Sequence, residues 1–374
     1  MTGAKIWAVV FLTACGGSPA TETFDLGGSD LTPPHLVQSC PVGIPGTGKW
    51  EDVTPPGLSL AADFKTPAGD NYGAHAFVVD PQDNATVYLG TSAQGIFKTT
   101  DCGAHWTLIS HGDINNGRNG SMVIDPIDRN VLYTDGRYGV AGLWKTSNGG
   151  VDWTQVLPAD TLKIFGDAVE WISMDPTDHL HLVVSPHFTC KSSQHPSCLI
   201  ESKDGGATWA VIDNANVPDS TELGGQVMLD AKTWLVAQPF GGLWRTTDAG
   251  ANWVQVLRGG AAPYIYQSSD GSYFMPGSFG GILHSVDHGA SWTGFAGAGL
   301  SGAMAVTSKA IFSSIGLNDA VYSSAPLSDL TTWTVTEKVP VGTGMGGWML
   351  GADRDHNLVY SSNFRGGFWR YSAP

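Results

Sequence analysis

The stretch RTTDAGANW, residues 245–253, decides the fold because near-copies of it occur along the whole chain. The other four copies are KTTDCGAHW from Lys98, KTSNGGVDW from Lys145, ESKDGGATW from Glu201 and HSVDHGASW from His284. Five copies spaced 39 to 56 residues apart are typical of a repeat architecture, in which each unit covers the apolar face of the next.

The residues around each copy have the pattern of β-strands. An alternating segment such as GLWRTT (242–247) precedes the copy, and a Trp with a short strand such as WVQVL (253–257) follows it. Two more strands lie upstream, for example GQVMLD (225–230) and TWLVAQ (233–238). Counting two units that lack the copy, four strands recur seven times. We therefore predict an all-β fold, a single seven-bladed β-propeller over residues 46–374, which hides its sheet edges by radial repetition.

The order of the strands also predicts how the ring closes. WEDV (50–53) precedes the first unit, whereas the last unit ends at its third strand, GFWRYS (367–372). We expect the N-terminal strand to complete the C-terminal blade.

The N-terminus has the proportions of a signal sequence. An apolar run from Ile6 to Leu12 follows Lys5, and LTAC (12–15) resembles the lipobox of bacterial lipoproteins. The resemblance implies a signal peptide over residues 1–14, a lipidated Cys15 and a flexible tether over 15–45. The protein would then be exported to the outer membrane or cell surface, touching the membrane through its lipid anchor only. An ordinary secretory signal is the alternative.

The four remaining cysteines are even in number, as expected for disulfides in an oxidising compartment. Cys190 and Cys198 share one short loop, which leaves Cys40 and Cys102 as the second pair, placed to tie the closing strand to blade 1. Metal binding is the alternative, but no CxxC or clustered His–Cys spacing supports it. We expect neither a metal nor a cofactor.

The pattern [S/T]-x-D-x-G-x-x-W in the five copies resembles the Asp-box of BNR-repeat propellers, among them sialidases, family 74 xyloglucanases and sortilin-type receptors. The resemblance implies a structural turn between the third and fourth strands, away from the ligand face. In it the Asp or Asn accepts backbone N–H groups, Gly supplies a positive φ and Trp packs between blades. The residues in the Asp position are Asp101, Asn148, Asp204, Asp248 and Asp287.

These families differ in activity, and the chain departs from each of them. Sialidases have six blades and an arginine motif that is missing here, so that activity is not expected. Family 74 enzymes place two catalytic carboxylates in a cleft between two propellers, whereas this chain is predicted to form a single propeller. A photosystem assembly factor shows that a single Asp-box propeller can be an interaction platform.

Charge narrows the choice of partner. The net charge of −15 and the lack of a Lys/Arg cluster exclude nucleic acid, whose phosphates would be repelled. Only 14% of the residues are charged and 10% are aromatic, a composition that suits neutral or cationic partners, sugars among them. We expect the protein to be a monomer.

A propeller binds ligands at one mouth of its central channel, where the inner strands begin. Aromatic rings there would stack on sugar faces, and arginines would bind carboxylates. The candidate catalytic residues at this mouth are Glu170, His75 and Tyr264. The candidate substrate-binding residues are Arg118, Arg137, Tyr138, Trp171, His187, Phe240, Trp348 and Arg365.

The sequence leaves the activity open. A glycoside hydrolase would use Glu170 and a second carboxylate, from Asp70, Asp113, Asp167 or Glu222. A polysaccharide lyase would neutralise a uronate with Arg118, Arg137 or Arg365 and take a proton with His75, His187 or Tyr264. A non-catalytic glycan-binding propeller and a protein-interaction scaffold are the other two hypotheses.

Overall fold

The computed structural model describes residues 40, 46–61, 73–137, 139, 141–165, 168–186, 190, 198–212, 225–238, 241–259, 264–268, 270–277, 281–295, 303–314, 321–336, 338–339, 347–354 and 356–374. Within these ranges 28 strands form seven four-stranded antiparallel sheets, which are the blades of a propeller. The predicted seven-bladed, all-β architecture is confirmed.

The strands follow chain order outward from the central channel in blades 1 to 6. Those of blades 1 to 3 are β2 (Ala74–Val79), β3 (Val87–Thr91), β4 (Ile96–Thr99) and β5 (Thr107–Leu108); β6 (Met122–Ile124), β7 (Leu132–Gly136), β8 (Gly142–Thr146) and β9 (Thr154–Gln155); β10 (Val169–Asp175), β11 (Asp178–Pro186), β12 (Leu199–Ser202) and β13 (Ala210–Ile212). Those of blades 4 to 6 are β14 (Gly225–Met228), β15 (Trp234–Gln238), β16 (Gly242–Thr246) and β17 (Val254–Leu257); β18 (Tyr266–Gln267), β19 (Tyr273–Pro276), β20 (Ile282–Ser285) and β21 (Thr293–Phe295); β22 (Met304–Val306), β23 (Ala310–Ser314), β24 (Tyr322–Pro326) and β25 (Thr334–Val335). Helical structure in the described ranges comprises α1 (Ala159–Phe165) and the 3-10 turn Gly112–Asn116.

Blade 7 closes the ring with both ends of the chain. It contains β26 (Met349–Asp353), β27 (Leu358–Ser362), β28 (Phe368–Ser372) and, outermost, β1 (Trp50–Asp52). The N-terminal strand therefore completes the last blade, as the strand order predicted. Arg370 of β28 is buried at this seam, where it pairs with Glu51 of β1 and donates a hydrogen bond to the Cys102 carbonyl at 2.8 Å.

Both expected disulfides are present. Cys40 is bonded to Cys102 and Cys190 to Cys198, with Cα–Cα distances of 5.6 and 5.9 Å. Asp353 and His356 lie beside the first disulfide, but its sulfur atoms are no longer thiolates and His356 is hydrogen-bonded to Asp353 at 2.6 Å. This group therefore does not have the free donors of a metal site.

The core consists of a hydrophobic cluster between each pair of neighbouring blades, seven in all among the described residues. The strand period of two produces this arrangement, since successive side chains point to opposite faces of a sheet. In β15, Trp234 and Val236 pack toward blade 3, whereas Leu235 and Ala237 pack toward blade 5. Each blade is thus apolar on both faces and needs a neighbouring blade on each side to bury them.

The five repeated turns share one hydrogen-bonding scheme. In blade 4, Thr246 Oγ1 donates to Asp248 Oδ1 at 2.7 Å and accepts the Gly250 N–H at 3.1 Å. Asp248 Oδ1 also accepts the N–H of Asn252 at 2.8 Å, and the indole N–H of Trp253 donates to the Gly250 carbonyl at 3.0 Å. The residue before the Gly also has a positive φ, in the left-handed region, in every copy: Cys102, Gly149, Gly205, Ala249 and His288. These turns close the hairpins at the end of the ring away from the inner-strand starts.

That backbone requirement predicts the effect of Gly149→Ala. Gly149 has φ 70°, and a Cβ there would meet nothing closer than 3.5 Å, so the cost is conformational. We expect the free energy of unfolding to fall by about 1 kcal/mol, measured by urea titration. Gly46→Ala is the control, because the φ of Gly46 does not lie in the left-handed region and no atom of the described residues lies within 4 Å of the added methyl group. Equal effects of the two substitutions would contradict the requirement.

Candidate functional site

The candidate residues gather where the inner strands begin. His75 and Glu170 are the second residues of β2 and β10, while Trp348 immediately precedes β26 and Tyr264 precedes β18 by two residues. Because the inner strands run in the same direction around the channel, all four lie at one end of it. We call this end the mouth.

Backbone bridges connect the mouth loops of blades 7, 1 and 2. Ala74 pairs with Phe364, Ser92 with Arg118, and Arg118 with Arg137. The last pair exchanges two hydrogen bonds, from the Arg118 N–H at 2.7 Å and from the Arg137 N–H at 3.0 Å. This part of the mouth is therefore fixed by main-chain contacts.

Arg137 forms the polar centre of the mouth. Its Nε donates to Asp135 Oδ2 at 2.7 Å, and its Nη1 donates to the carboxylate of Glu170 in the next blade. Asp135 is held in turn by the N–H groups of Gly120 and Ser121, which donate hydrogen bonds to its Oδ1 at 2.6 and 2.7 Å. A Cβ on Gly120 would lie 1.7 Å from Arg137 Nη2, so only glycine leaves room for the guanidinium.

Burial dominates the electrostatics of this centre. Asp135 and Arg137 are 0% and 1% exposed, and Glu170 is 8% exposed. Burial raises the pKa of Asp135, because desolvation outweighs the Arg137 charge and the backbone N–H groups. Burial alone would lower the pKa of Arg137, but the charges of Asp135 and Glu170 raise it above its usual value. The guanidinium therefore stays charged and fully engaged.

His75 occupies an aromatic box beside this centre. Its ring lies 4.9 Å from that of Trp348 and 5.4 Å from that of Phe364, between ring centroids, and the residue is 0% exposed. Among the described residues, neither ring nitrogen has a partner in good hydrogen-bond geometry, although the backbone of Asn119 lies near enough to favour the charged form. Burial, and then the charges of Arg118 and Arg137, hold the pKa of His75 well below its usual value. The imidazole is neutral at pH 7.

A pH-dependent stability follows from His75. As the pH falls below about 6.5, His75 takes up a proton in the unfolded chain but stays neutral in the folded chain until the lowered pKa is reached. The free energy of unfolding is therefore highest above about pH 6.5 and decreases from there down to the lowered pKa. Between pH 7.5 and 5.5 we expect wild type to lose about 1 kcal/mol more than His75→Phe, in urea titrations.

His181 changes the free energy of unfolding with pH in the opposite direction, but it is present in both wild type and His75→Phe and so does not affect their difference. Burial lowers its pKa, but bonds to Glu201 and Asp175 raise the value overall. A difference between wild type and His75→Phe that does not change with pH would contradict the assignment.

Two half-buried aromatic pairs border the polar centre. Trp171 and Tyr264 meet edge to face with centroids 5.0 Å apart, and Trp348 and Phe364 are 5.3 Å apart. Burial raises the pKa of Tyr264 far above its usual value, so the phenol is not a proton acceptor at neutral pH. The geometry suits this tyrosine for stacking rather than for the base role considered above.

The remaining candidates are either exposed or lie outside the described residues. Arg365 is exposed beside Phe364, and Asp113 is exposed in the 3-10 turn. The candidates outside the described residues are Cys15, Asp70, Tyr138, Asp167, His187, Glu222 and Phe240. The sequence reasoning missed Asp135 and Gly120. An Asp inside the otherwise apolar segment VLYTDG was the available signal, because a buried carboxylate needs a partner.

Among the residues that the structure describes, no helix has the length and apolar character needed to cross a membrane.

Comparison with known proteins places the chain among β-propellers, although it matches no protein-family model. It is 23% identical over 268 residues to the xyloglucanase Xgh74A of Acetivibrio thermocellus, covering 63% of this chain and 31% of that protein. The chain thus spans about a third of this relative's length.

Solved structures also share the fold. YCF48 bound to D1 peptide has a TM-score of 0.59 at 14% identity, covering 93% of this chain and all of that one. The GH74 enzyme of Niastella koreensis has a TM-score of 0.51 at 14% identity, covering 83% and 61%. At these identities the solved structures establish the propeller fold, and the sequence match adds xyloglucanases as relatives.

Proposed function

We propose that this protein binds carbohydrate at the mouth of its propeller. The observation that carries the proposal is the arrangement of two half-buried aromatic pairs, Trp171–Tyr264 and Trp348–Phe364, beside a rigid arginine–carboxylate centre. Aromatic faces stack on the apolar faces of sugar rings, and a fixed polar centre orients hydroxyl groups. The xyloglucanase relative supports a sugar as the ligand class.

Among the described residues, the state of the two buried carboxylates at the mouth agrees best with binding without catalysis. Asp135 and Glu170 both form ion pairs with Arg137. Neither therefore resembles the free acid and base that flank a scissile glycosidic bond. Of the three candidate bases for an elimination, His187 lies outside the described residues, His75 is fully buried and Tyr264 has a strongly raised pKa. Hydrolysis and elimination are retained as outcomes of the test.

A second candidate function is that of a protein-interaction scaffold. The likeness to YCF48 bound to D1 peptide extends over nearly the whole of both chains, and a propeller of this size offers one broad mouth. On this alternative the same aromatic pairs would contact a peptide.

We further propose the cellular setting and domain organisation. Residues 1–14 would be a signal peptide, Cys15 a lipidated residue and 15–45 a tether, leaving 46–374 as an exported, membrane-anchored, monomeric propeller of the Asp-box type. Mass spectrometry of the mature protein tests this directly. An N-terminus at Cys15 carrying acyl chains is the expected result, and an unmodified Cys15 would contradict it.

The sugar proposal is tested by titrating the purified full chain with neutral and uronic-acid oligosaccharides in a calorimeter. Trp171→Ala and Trp348→Ala should each weaken binding about tenfold, since each removes a stacking face. Val286→Ala is the control, because Val286 is exposed in the repeated turn of blade 5, at the other end of the ring. Tight binding that neither Trp substitution weakens would place the sugar elsewhere.

The same mixtures are assayed for products. New reducing ends that disappear in Glu170→Gln would establish a hydrolase, and unsaturated uronates that disappear in His75→Ala would establish a lyase. Absence of both binding and products across the panel would remove the carbohydrate proposal and leave the scaffold.

A further inference from the structure

Four side chains of the kinds that bind metal ions gather at the seam between blades 7 and 1, at the end of the ring opposite the mouth. Cys40 precedes the closing strand β1, and Cys102 lies in the repeated turn of blade 1. Asp353 ends β26, and His356 lies between β26 and β27. One donor atom from each of the four lies within 4.8 Å of all the others. Among the residues that the structure describes, no other group of donors has this spacing.

The four residue types are those of a structural zinc site. Such sites hold Zn²⁺ in a tetrahedron of four side chains, drawn from thiolates, imidazoles and carboxylates. Thiolates favour Zn²⁺ over Mg²⁺ and Ca²⁺, which prefer oxygen ligands. In the disulfide form the two sulfur atoms are bonded to each other, whereas a metal ion binds the thiolate. The donor set is therefore complete only after the disulfide has been reduced.

Contacts other than the disulfide hold three of the four donors in place. The Cys102 N–H donates to the Ala85 carbonyl at 2.8 Å, and the Cys102 carbonyl accepts Arg370 Nη1 at 2.8 Å. Asp353 Oδ1 accepts the His356 N–H at 3.2 Å, and Asp353 Oδ2 lies 2.6 Å from His356 Nδ1. None of these contacts involves a sulfur atom, so breaking the S–S bond leaves them intact.

The burial of the donors gives an ion a way in from one side. Cys102 and Asp353 are 0% and 1% exposed, whereas Cys40 and His356 are half-buried. Cys40 also packs against the hydrophobic cluster between blades 7 and 1, which keeps its thiol near the other donors after reduction. The group thus combines an entry path with ligands that are already close together, as a metal site requires.

We propose that the Cys40–Cys102 disulfide is a redox-gated zinc site, which binds Zn²⁺ through Cys40, Cys102, Asp353 and His356 once it is reduced. A dithiol reductant passes two electrons and two protons to the disulfide and becomes a disulfide itself, leaving thiols on both cysteines. Each thiol then loses its proton as the sulfur bonds to Zn²⁺, so that binding releases two protons. The ion joins the closing segment, blade 1 and blade 7 across the seam that the disulfide otherwise ties. This site does not depend on sugar binding at the mouth.

The test uses Co²⁺ as a probe, because its absorption reports both tetrahedral coordination and bonds to thiolate. The full chain with Cys190→Ser and Cys198→Ser, in which Cys40 and Cys102 are the remaining disulfide pair, is reduced with a phosphine under nitrogen and titrated with Co²⁺. We expect one tetrahedral, thiolate-bound Co²⁺ per chain, displaced by one Zn²⁺, and no such absorption before reduction. Circular dichroism follows the fold throughout. Absence of these bands after reduction would overturn the proposal, as would a reduced chain that unfolds and that neither ion refolds.

Ligand variants locate the ion. In the same background His356→Ala should weaken Co²⁺ binding at least tenfold, and Cys40→Ser with Cys102→Ser should abolish the thiolate band. His105→Ala is the matched control, because His105 lies in the same turn as Cys102, is 83% exposed and pairs with Asp101 instead. Equal Co²⁺ affinities in the His356 and His105 variants, or a thiolate band that persists without the two cysteines, would place the ion elsewhere.

Thermal melting provides a second readout of the same site. Zn²⁺ should raise the melting temperature of the reduced protein and leave that of the oxidised protein unchanged, because an ion that binds only the folded, reduced form stabilises only that form. His356→Ala should lose this increase. An equal increase in the oxidised protein would contradict the requirement for free thiolates.

Discussion

Replacing Arg137 with methionine is expected to lower the free energy of unfolding by about 3–5 kcal/mol, the cost of leaving a buried charge without its partner. Asp135 is 0% exposed and would lose its only ion-pair partner among the described residues, and Glu170 would lose the group that fixes it across blades 2 and 3. The methionine keeps most of the apolar volume, so the loss reports charge rather than a cavity.

A second substitution separates charge from packing in this prediction. Asp135→Asn keeps an oxygen to accept the Gly120 and Ser121 N–H groups but removes the charge. In the Arg137→Met background it should therefore restore part of the lost stability, measured by urea unfolding at pH 7. Lys163→Ala, which breaks an ion pair exposed on both sides, should change little. An Arg137→Met effect no larger than that of Lys163→Ala would contradict the role of the buried centre.

Removing the Cys40–Cys102 disulfide by double replacement with serine is expected to cost about 4 kcal/mol, from the chain entropy of a loop of that size. The two cysteines are 62 residues apart, and the bond links the segment before the closing strand β1 to blade 1. Without it, β1 would be held to blade 7 by its pairing with β28 and by the Glu51–Arg370 ion pair. Because β1 is the outermost strand of blade 7, the ring seam should open first.

The second disulfide supplies the matched comparison. Cys190 and Cys198 are only 8 residues apart, so the same model gives about 2–3 kcal/mol for their removal. Hydrogen exchange should show increased opening at β1 and β28 only in the Cys40/Cys102 variant. A larger loss from the shorter loop, or no change at the seam, would contradict the closure argument.

The sequence alone determined the fold, because its signals are local. Strand alternation and the five repeated turns each depend on residues a few positions apart, and repetition shows each signal several times. The order of the strands then assigned WEDV to the last blade. The disulfide pairing followed as well, since two cysteines in one loop left one other pair. The sequence also placed His75, Glu170, Tyr264 and Trp348 at the same end of the channel, through the common start of the inner strands.

The tertiary structure decided what those residues can do. Two questions depend on contacts between different blades: whether Glu170 is a free carboxylate or the partner of Arg137, and whether His75 faces solvent or aromatic rings. Such contacts join residues tens to hundreds of positions apart, and burial, which sets the pKa values and the strength of the ion pairs, exists only after the ring has closed.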